Sequence, residues 1–267
     1  EAARERAATK EEILSALRQA QSEGRAFDAL LSVLTEKIDS EIMDAGLPTL
    51  KIIANYAVGF DNIDLAAAKQ RSIMVTNTPD VLTNTVAEHT FALMLAIAHR
   101  IAEADRFSRA GKYSAWGPEL LLGADVSGKT LGVIGLGRIG SRVAYHAVRG
   151  FEMKVLYTDI QPSGDFEKEF GAVFAANIDE LLSQSDFVSI HVPLLDSTRH
   201  LINAERLKMM KPTAYLINTS RGPIVDEAAL ATALKNATIA GAALDVFENE
   251  PQIHPGLLTL ENVILTP

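Results

Sequence analysis

The 267-residue sequence contains no cysteine. The chain therefore forms no disulfide and no thiolate metal site, and it cannot use a thiol as a nucleophile. Chains without disulfides are typical of reducing compartments, and we expect a cytoplasmic location.

Basic clusters and long apolar runs are also scarce. The net charge is −9, and aromatic residues make up only 6% of the chain. No basic block or aromatic surface indicates a nucleic-acid partner, so we expect none. The longest apolar run covers residues 91–98. A membrane-spanning helix needs roughly 20 such residues, so we also expect no membrane partner.

Apolar residues are plentiful, at 48% of the chain, and they fall into short runs separated by helical stretches. Strands alternating with helices predict an α/β fold whose parallel sheet is covered on both faces. The length suggests about two domains. The predicted strands cover residues 29–34, 50–55, 73–76, 130–134, 154–157, 172–174, 187–192, 215–218, 240–245 and 263–266.

Two segments carry helix-start patterns. Thr9 and Glu12 have the spacing of a capping box at the start of an early helix. Residues 80–110 contain neither glycine nor proline, and Thr85 and Glu88 have the same spacing. This pattern predicts one unusually long helix between two domains.

A glycine-rich turn follows the predicted strand 130–134 and opens an amphipathic helix. In the pattern G-x-G-x-x-G the first glycine permits a tight turn, the second lets a pyrophosphate approach the backbone, and the third allows close packing of helix and strand. The helix N-terminus would then offer N–H groups to the phosphates. The six residues are Gly135, Leu136, Gly137, Arg138, Ile139 and Gly140.

Asp159 lies at the end of the next strand, 19 residues after Gly140. A carboxylate at this position accepts hydrogen bonds from ribose hydroxyls and repels a 2′-phosphate. No arginine or lysine follows in residues 160–164. The sequence therefore predicts NAD rather than NADP as the cofactor.

Three charged residues follow later strands and are candidates for chemistry. Arg221 fits either a clamp for a substrate carboxylate or a surface loop, and its position alone leaves both open. Glu250 could orient a histidine, whereas we expect Glu248 to be a helix cap or a solvated loop charge. None of the six histidines lies in a pattern typical of a catalytic base.

Five segments together resemble the D-isomer-specific 2-hydroxyacid dehydrogenase family, and within it glyoxylate/hydroxypyruvate reductases. They cover residues 54–64, 130–140, 192–194, 218–227 and 242–251. The resemblance implies a Rossmann-type doubly wound parallel sheet in a dinucleotide-binding domain, residues 81–267. It also implies a second, smaller flavodoxin-like substrate domain, residues 1–80, which is incomplete in this sequence.

The resemblance also assigns roles to residues of the substrate site. Arg221 matches the catalytic arginine that holds the substrate's carboxylate and carbonyl oxygen. Glu250 matches the glutamate that pairs with a catalytic histidine. Val58 and Gly59 match a loop whose backbone N–H groups cradle the carboxylate.

Further matches lie along the cofactor site and on a subunit interface. Asp245 corresponds to the residue at the nicotinamide carboxamide. The long helix from about residue 85 onward corresponds to the family's connector and dimer-forming region, so we expect a homodimer. Trp116 resembles a tryptophan that reaches a neighbouring subunit's active site in some reductases. The remaining cofactor residues are Val192, Pro193 and Thr198 on the adenosine side, and Thr219 and Ser220 beside the nicotinamide.

The sequence departs from the family pattern at its ends. The family's first strand and helix do not precede Glu1, and its catalytic histidine directly follows a Thr-Pro pair, which here is Thr266 and Pro267. We therefore expect the natural protein to be longer at both ends, with a histidine after Pro267.

The implied reaction transfers a hydride between NADH and a small 2-oxo acid, glyoxylate or hydroxypyruvate, to give the D-2-hydroxy acid. No metal is needed, because arginine and imidazolium stabilise the developing alkoxide. Phosphoglycerate dehydrogenase is an alternative, although residues 32–35 offer no arginine for a phosphate. A non-enzymatic NAD-sensing scaffold of the corepressor type is another, and turnover would distinguish it.

Overall fold

The structure of the protein is a computed structural model that describes residues 6–267. The chain divides into two compact units, with the first ending at Leu82 and the second beginning at Thr83. Each unit has its own parallel sheet and its own core.

The first unit is a three-stranded parallel sheet with strand order β1-β2-β3. In its register Leu30 pairs with Ile53, and Ile53 pairs with Val75. The strands are β1 Ala29–Ser32, β2 Ile52–Asn55 and β3 Met74–Thr76. The helices are α1 Lys10–Ser22, α2 Ser40–Gly46 and α3 Leu65–Gln70.

Side-chain caps begin the helices of this unit. The predicted capping box is confirmed, because the Thr9 hydroxyl accepts from the Glu12 amide while the Glu12 carboxylate accepts from the Thr9 amide. At α2 and α3 only the N-cap side chain takes part: the Asp39 carboxylate accepts from two amides of α2, and the Asp64 carboxylate accepts from one amide of α3. Each cap satisfies amides that the first helical turn leaves without partners.

The second unit is a seven-stranded sheet in which every paired strand is parallel, with order β10-β9-β8-β7-β4-β5-β6. The strand order reverses between β4 and β7, which is the doubly wound Rossmann arrangement predicted from the sequence. The strands are β4 Thr130–Ile134, β5 Lys154–Thr158, β6 Val173–Phe174, β7 Phe187–Ile190, β8 Tyr215–Asn218, β9 Gly241–Leu244 and β10 Val263–Leu265.

Helices cover both faces of this sheet. Alternate strand residues point to opposite faces, so Val133 packs in one apolar cluster and Ile134 in the other. The cluster with Val133 includes residues of α4 and α6, and the cluster with Ile134 includes residues of α8, α9 and α10. The helices are α4 Thr83–Ala98, α5 Ile101–Arg109, α6 Arg138–Phe151, α7 Gly164–Phe170, α8 Ile178–Gln184, α9 Ala204–Met209 and α10 Glu227–Lys235.

The prediction of one long helix over residues 80–110 is wrong. Arg100 has φ +53°, in the left-handed region, and it separates α4 from α5. The Ala98 carbonyl accepts from the Ala124 amide (2.9 Å), and a Cβ on Gly123 would lie 2.5 Å from that same oxygen. The segment that contains Gly123 and Ala124 therefore occupies the carbonyl at the end of α4. The expected box at Thr85 and Glu88 is also wrong, because α4 already begins at Thr83.

All ten predicted strands are present, and their ends differ from the prediction by no more than two residues. Among the residues that the structure describes, no helix is long and apolar enough to cross a bilayer.

Candidate active site

The carboxyl ends of the strands in the second unit meet at one edge of the sheet, because the strands are parallel. The glycine turn follows β4, Asp159 follows β5, and Asp245 follows β9. Val192 lies beyond β7, and Thr219 directly follows β8. Ligands of open α/β sheets bind at this edge, next to the reversal of strand order.

Each glycine of the turn meets a different steric demand. Gly135 has φ +94°, and a Cβ there would lie 2.8 Å from Val192 Cγ1. A Cβ on Gly140 would lie 2.0 Å from the Gly135 carbonyl oxygen, so only glycine allows α6 to pack this closely. A Cβ on Gly137 would meet nothing within 4 Å. The space beside Gly137 is therefore open for a ligand.

The N-terminus of α6 presents unpaired amides to that space. Gly137 is the N-cap and supplies no side chain, and the first turn has no acidic residue. Ser141 N–H donates to Gly137 O (2.9 Å), but within residues 6–267 the amides of Ile139 and Gly140 find no acceptor. These N–H groups and the positive end of the helix dipole fit a diphosphate.

Asp159 is fixed beside the glycine turn by two backbone amides. Leu136 N–H donates to Oδ2 (2.7 Å), and Ile160 N–H donates to Oδ1 (2.6 Å). A carboxylate oxygen accepts more than one hydrogen bond, so a ribose hydroxyl still has an acceptor here. The negative charge stays next to the turn.

The loop after β7 is closed by its own hydrogen bonds. The Thr198 hydroxyl donates to Pro193 O (2.7 Å) and accepts from Leu195 N–H (2.8 Å). The Ser220 hydroxyl donates to Val192 O, which joins this loop to the end of β8. This hydrogen-bonded loop therefore contains three of the predicted cofactor residues, Val192, Pro193 and Thr198.

His191 lies at the base of that loop, and its Nε2 is 2.8 Å from the Ser189 hydroxyl. Desolvation by burial lowers the pKa of His191 to about 3. The ring is therefore neutral at ordinary pH, which suits a structural position between β7 and the glycine turn.

The segment after β8 holds Arg221 through its backbone. The Asn218 side-chain amide donates to Arg221 O (3.0 Å), and the Asn218 side-chain oxygen accepts from Ser220 N–H (3.1 Å). The Arg221 guanidinium donates to Ser220 O (2.8 Å) through Nη1. Asn218 is 1% exposed, so the turn that carries Arg221 is anchored in the core.

Helix α4 contributes polar groups to this edge that the sequence analysis missed. His89 Nε2 lies 2.8 Å from Asp245 Oδ1, and the Thr90 hydroxyl lies 3.0 Å from that of Thr219. Thr90 is fully buried. The sequence did contain a signal for them. His89 and Thr90 come four residues before the buried Leu93 and Met94, which places them on the same side of α4.

Asp245 has two different carboxylate oxygens. Oδ1 accepts from the Thr266 hydroxyl (2.7 Å) as well as facing His89. Oδ2 has no hydrogen-bond partner anywhere in the described chain, residues 6–267. One oxygen is held in place and the other remains available as an acceptor.

The loop between β9 and β10 carries both glutamates. Glu250 Oε1 accepts from Phe247 N–H (3.0 Å). Glu248 Oε1 lies 2.6 Å from His200 Nε2, and the Glu248 side chain is only 17% exposed. The expectation of a cap or solvated loop charge at Glu248 is therefore wrong, because a histidine distant in sequence binds it.

Val58 and Gly59 lie in the first unit, in the loop after β2. The Asn77 side chain donates to Val58 O (2.8 Å), and the Asn55 side chain donates to Gly59 O (2.8 Å). Both carbonyls are thus turned toward asparagines. The N–H groups of Val58 and Gly59 have no acceptor among the described residues, so they are available to an anion.

The described residues include no group of three or more histidine, aspartate or glutamate side chains arranged to hold a metal ion. At the sheet edge the Asp245 carboxylate lies against the His89 ring and the Thr266 hydroxyl.

A family model matches residues 91–267, and it describes the NAD-binding domain of D-isomer-specific 2-hydroxyacid dehydrogenases. This match covers the glycine turn, Asp159 and Arg221.

Curated relatives are similar over most of the chain. A glyoxylate reductase of Korarchaeum cryptofilum is 55% identical over 243 residues, which are 90% of this chain and 72% of that protein. A glyoxylate reductase of Thermococcus onnurineus is 51% identical over 247 residues, covering 91% of this chain and 73% of that protein.

Solved structures share the fold. D-lactate dehydrogenase from Aquifex aeolicus, in complex with NAD and lactic acid, superposes with a TM-score of 0.84 at 36% identity. The match covers 97% of this chain and 79% of that one. With the open amides at the N-terminus of α6 and Asp159 beside them, these matches identify the chain as an NAD-binding member of the D-isomer-specific 2-hydroxyacid dehydrogenase family.

Proposed function

We propose that this enzyme uses NADH to reduce small 2-oxo acids to D-2-hydroxy acids, converting hydroxypyruvate to D-glycerate and glyoxylate to the achiral glycolate. The observation that carries the proposal is that Arg221 follows β8 at the same sheet edge as the unpaired amides of α6. A fixed cation for a carboxylate thus lies on the edge where the dinucleotide binds. Relatives named glyoxylate reductase, 50–55% identical, support the choice of substrate.

We assign the substrate domain to residues 1–80 and the dinucleotide-binding domain to residues 81–267. In the structure, the boundary between the two compact units falls two residues further along the sequence, between Leu82 and Thr83.

The cofactor is held by the glycine turn, with Asp159 at the adenosine ribose and Asp245 at the nicotinamide carboxamide. The free Oδ2 of Asp245 supports this role, because a carboxamide N–H₂ needs an acceptor. When bound, NADH supplies a hydride for the carbonyl carbon of the substrate. The other residues assigned to the cofactor are Gly135, Leu136, Gly137, Arg138, Ile139, Gly140, Val192, Pro193, Thr198, Thr219 and Ser220.

Arg221 binds the substrate carboxylate and polarises the carbonyl oxygen. A guanidinium offers two parallel N–H donors, and a bidentate pair fixes the orientation of a planar acid. The buried Asn218 and the Ser220 carbonyl hold the arginine turn in place before substrate binds. This preorganisation supports stabilisation of the negative charge that develops on the oxygen.

Val58 and Gly59 hold the substrate carboxylate through their backbone N–H groups. Their carbonyls are tied to Asn55 and Asn77, which keeps the peptide planes in one orientation. Successive backbone N–H groups of this kind form a concave site for an anion.

Glu250 acts on the proton rather than on the hydride. In the family that the chain resembles, a histidine gives a proton to the carbonyl oxygen, and Glu250 stabilises the charged form of that histidine. The bond from Phe247 N–H to Oε1 holds the glutamate while leaving Oε2 for the histidine.

Two further assignments belong to the same proposal. Trp116 is 78% exposed, and Tyr113 and Leu122, which are near it in sequence, are 58% and 69% exposed. An apolar surface of this kind supports a homodimer formed through α5 and the segment that follows it. We also propose a cytoplasmic location, which the cysteine-free composition supports.

The test is turnover by the full-length protein with NADH and glyoxylate, hydroxypyruvate or 3-phosphohydroxypyruvate. We expect oxidation of NADH with the first two acids, and glycerate of D configuration from hydroxypyruvate. A preference for the phosphorylated acid would favour phosphoglycerate dehydrogenase. NADH binding without any turnover would favour the corepressor-type scaffold.

A further inference from the structure

The segment 246–254, between β9 and β10, carries Glu250 and is attached to the start of α10. We call it the Glu250 loop. Its backbone lies against the residues that follow Arg221, since a Cβ on Gly222 would come within 1.9 Å of the Phe247 carbonyl. The position of Glu250 relative to the arginine turn therefore depends on how this loop is seated.

Glu227, the first residue of α10, makes the side-chain contacts that seat the loop at both ends. Its Oε1 accepts from Glu248 N–H (2.5 Å), and its Oε2 accepts from His254 N–H (3.1 Å). Glu227 is 3% exposed. One buried carboxylate thus binds two amides that are six residues apart.

Capping of α10 does not explain this buried carboxylate. Asp226 is already the N-cap and accepts from Ala229 N–H (2.9 Å). An acidic residue in a first helical turn interacts favourably with the helix dipole without being buried. Burial of a carboxylate is costly unless its oxygens are hydrogen-bonded, and here both bonds go to the Glu250 loop.

The seated loop then orients Glu250 through its own backbone. Phe247 N–H, next to the amide that Glu227 binds, donates to Glu250 Oε1 (3.0 Å). The Glu250 loop also contacts the segment after β7, because Glu248 Oε1 lies 2.6 Å from His200 Nε2.

We infer that Glu227 is a positioning residue that seats the Glu250 loop and so sets the carboxylate of Glu250 for proton transfer. The inference rests on the function proposed for Glu250. It assigns no contact between Glu227 and substrate or cofactor.

The test is Glu227→Gln in the full-length enzyme. Glutamine replaces one acceptor oxygen with an N–H₂ donor, which would face a backbone N–H and could not bind it. We expect kcat to fall about 10- to 100-fold, the scale of loss when a catalytic group is slightly misplaced. The Kd for NADH should stay within about twofold, because the glycine turn is untouched.

The pH profile separates positioning from a general structural defect. If Glu250 stabilises the protonated acid, Glu250→Gln moves the decline of kcat for reduction to lower pH. Glu227→Gln should move it in the same direction. The control Glu205→Gln changes an exposed first-turn glutamate of α9 and should match the parent in kcat, KM and pH profile.

Hydrogen exchange reports the seating itself. The amides of Glu248 and His254 should exchange faster in Glu227→Gln, while amides of α6 stay protected. If that variant does not fold, Glu227→Asp retains the charge but is one methylene short, and the same changes are expected.

Parent-like kcat and exchange in Glu227→Gln, together with an impaired Glu250→Gln, would overturn the inference alone. Parent-like activity in Glu250→Gln would overturn the proposed role of Glu250 and the inference with it.

Discussion

Asp159 places a negative charge where two amides fix it, beside the turn that binds the dinucleotide. A charge at about 4 Å from a second one interacts by roughly 1 kcal/mol even at the dielectric constant of water. A 2′-phosphate next to Asp159 would therefore weaken binding by about fivefold or more.

We predict that the parent binds NADH more tightly than NADPH by at least that factor. The double variant Asp159→Ser, Gln161→Arg should reverse or abolish the preference, because it replaces repulsion with a cation. Fluorescence titration of both cofactors measures this. Asp165→Ser, an exposed acid on α7, is the matched control, and equal or tighter NADPH binding by the parent would refute the prediction.

His191 predicts a pH dependence of stability. Its pKa falls from an ordinary value near 6.5 to about 3 in the folded protein, so only the unfolded chain takes up the proton between those values. Stability is thus unaffected above pH 6.5 and declines as the pH falls below it. At pH 5 the loss is at most about 2 kcal/mol, from roughly 1.4 kcal/mol per pKa unit.

Urea unfolding of parent and His191→Gln at pH 7 and pH 5 tests this assignment. The parent should lose more stability between the two pH values than the variant, whose residue 191 does not titrate. An identical loss in both proteins would place the effect elsewhere.

The residues that sequence reasoning missed are those whose partners lie far away in the chain. His89 meets Asp245 across 156 positions, and Glu248 meets His200 across 48. Spacing places His89 on the side of α4 that carries buried Leu93, but no local pattern identifies Asp245 as its partner. Gly135, Gly140 and Asp159 were predictable because backbone sterics and strand ends fix them locally.

Among the elements, α6 carries the most specific steric requirement. A methyl group on Gly140 would overlap the Gly135 carbonyl, whereas one on Gly150, in the last turn of the same helix, would meet nothing within 4 Å. The two glycines therefore form a matched pair for one substitution.

Gly140→Ala should weaken NADH binding at least about tenfold and cost about 1–3 kcal/mol in unfolding free energy, because α6 must move away from β4. Gly150→Ala should leave binding unchanged and add about 0.5–1 kcal/mol, the usual gain for alanine over glycine in a helix. Calorimetry and NADH titration measure both. Equal effects of the two changes would contradict the close packing of α6.

The break between α4 and α5 shows where element prediction stops. Residues 80–110 contain no helix breaker, and Arg100 is an ordinary helix former. The break depends on Ala124 N–H taking the Ala98 carbonyl and on Gly123 approaching His99. These contacts come from a segment more than twenty residues away, so the sequence of the helix alone could not predict the break.

For the whole molecule, the apolar surface around Trp116 predicts self-association. The two helices of residues 83–109 differ in burial: α4 buries its apolar side against α6 and the sheet, while α5 has no buried residue. The surface left for a partner is therefore α5 with the segment through Leu122.

Light scattering on the full-length protein at micromolar concentration should give twice the monomer mass. Leu122→Glu should shift the population toward monomer, whereas Leu258→Glu, at a comparably exposed leucine distant in sequence, should not. A parent that is monomeric under these conditions would refute the dimer.

The most direct test of the proposed active site is the variant Arg221→Ala. Both kcat/KM for glyoxylate and the Kd for NADH are measured on that one protein. Two charge-assisted hydrogen bonds, at roughly 1.5–3 kcal/mol each, predict a loss of a hundredfold or more in kcat/KM. The Kd for NADH should be nearly unchanged, and Arg221→Lys should recover little, because a point charge cannot replace the planar fork. A kcat/KM within a few-fold of the parent would show that Arg221 is a loop residue and that the substrate site has been wrongly assigned.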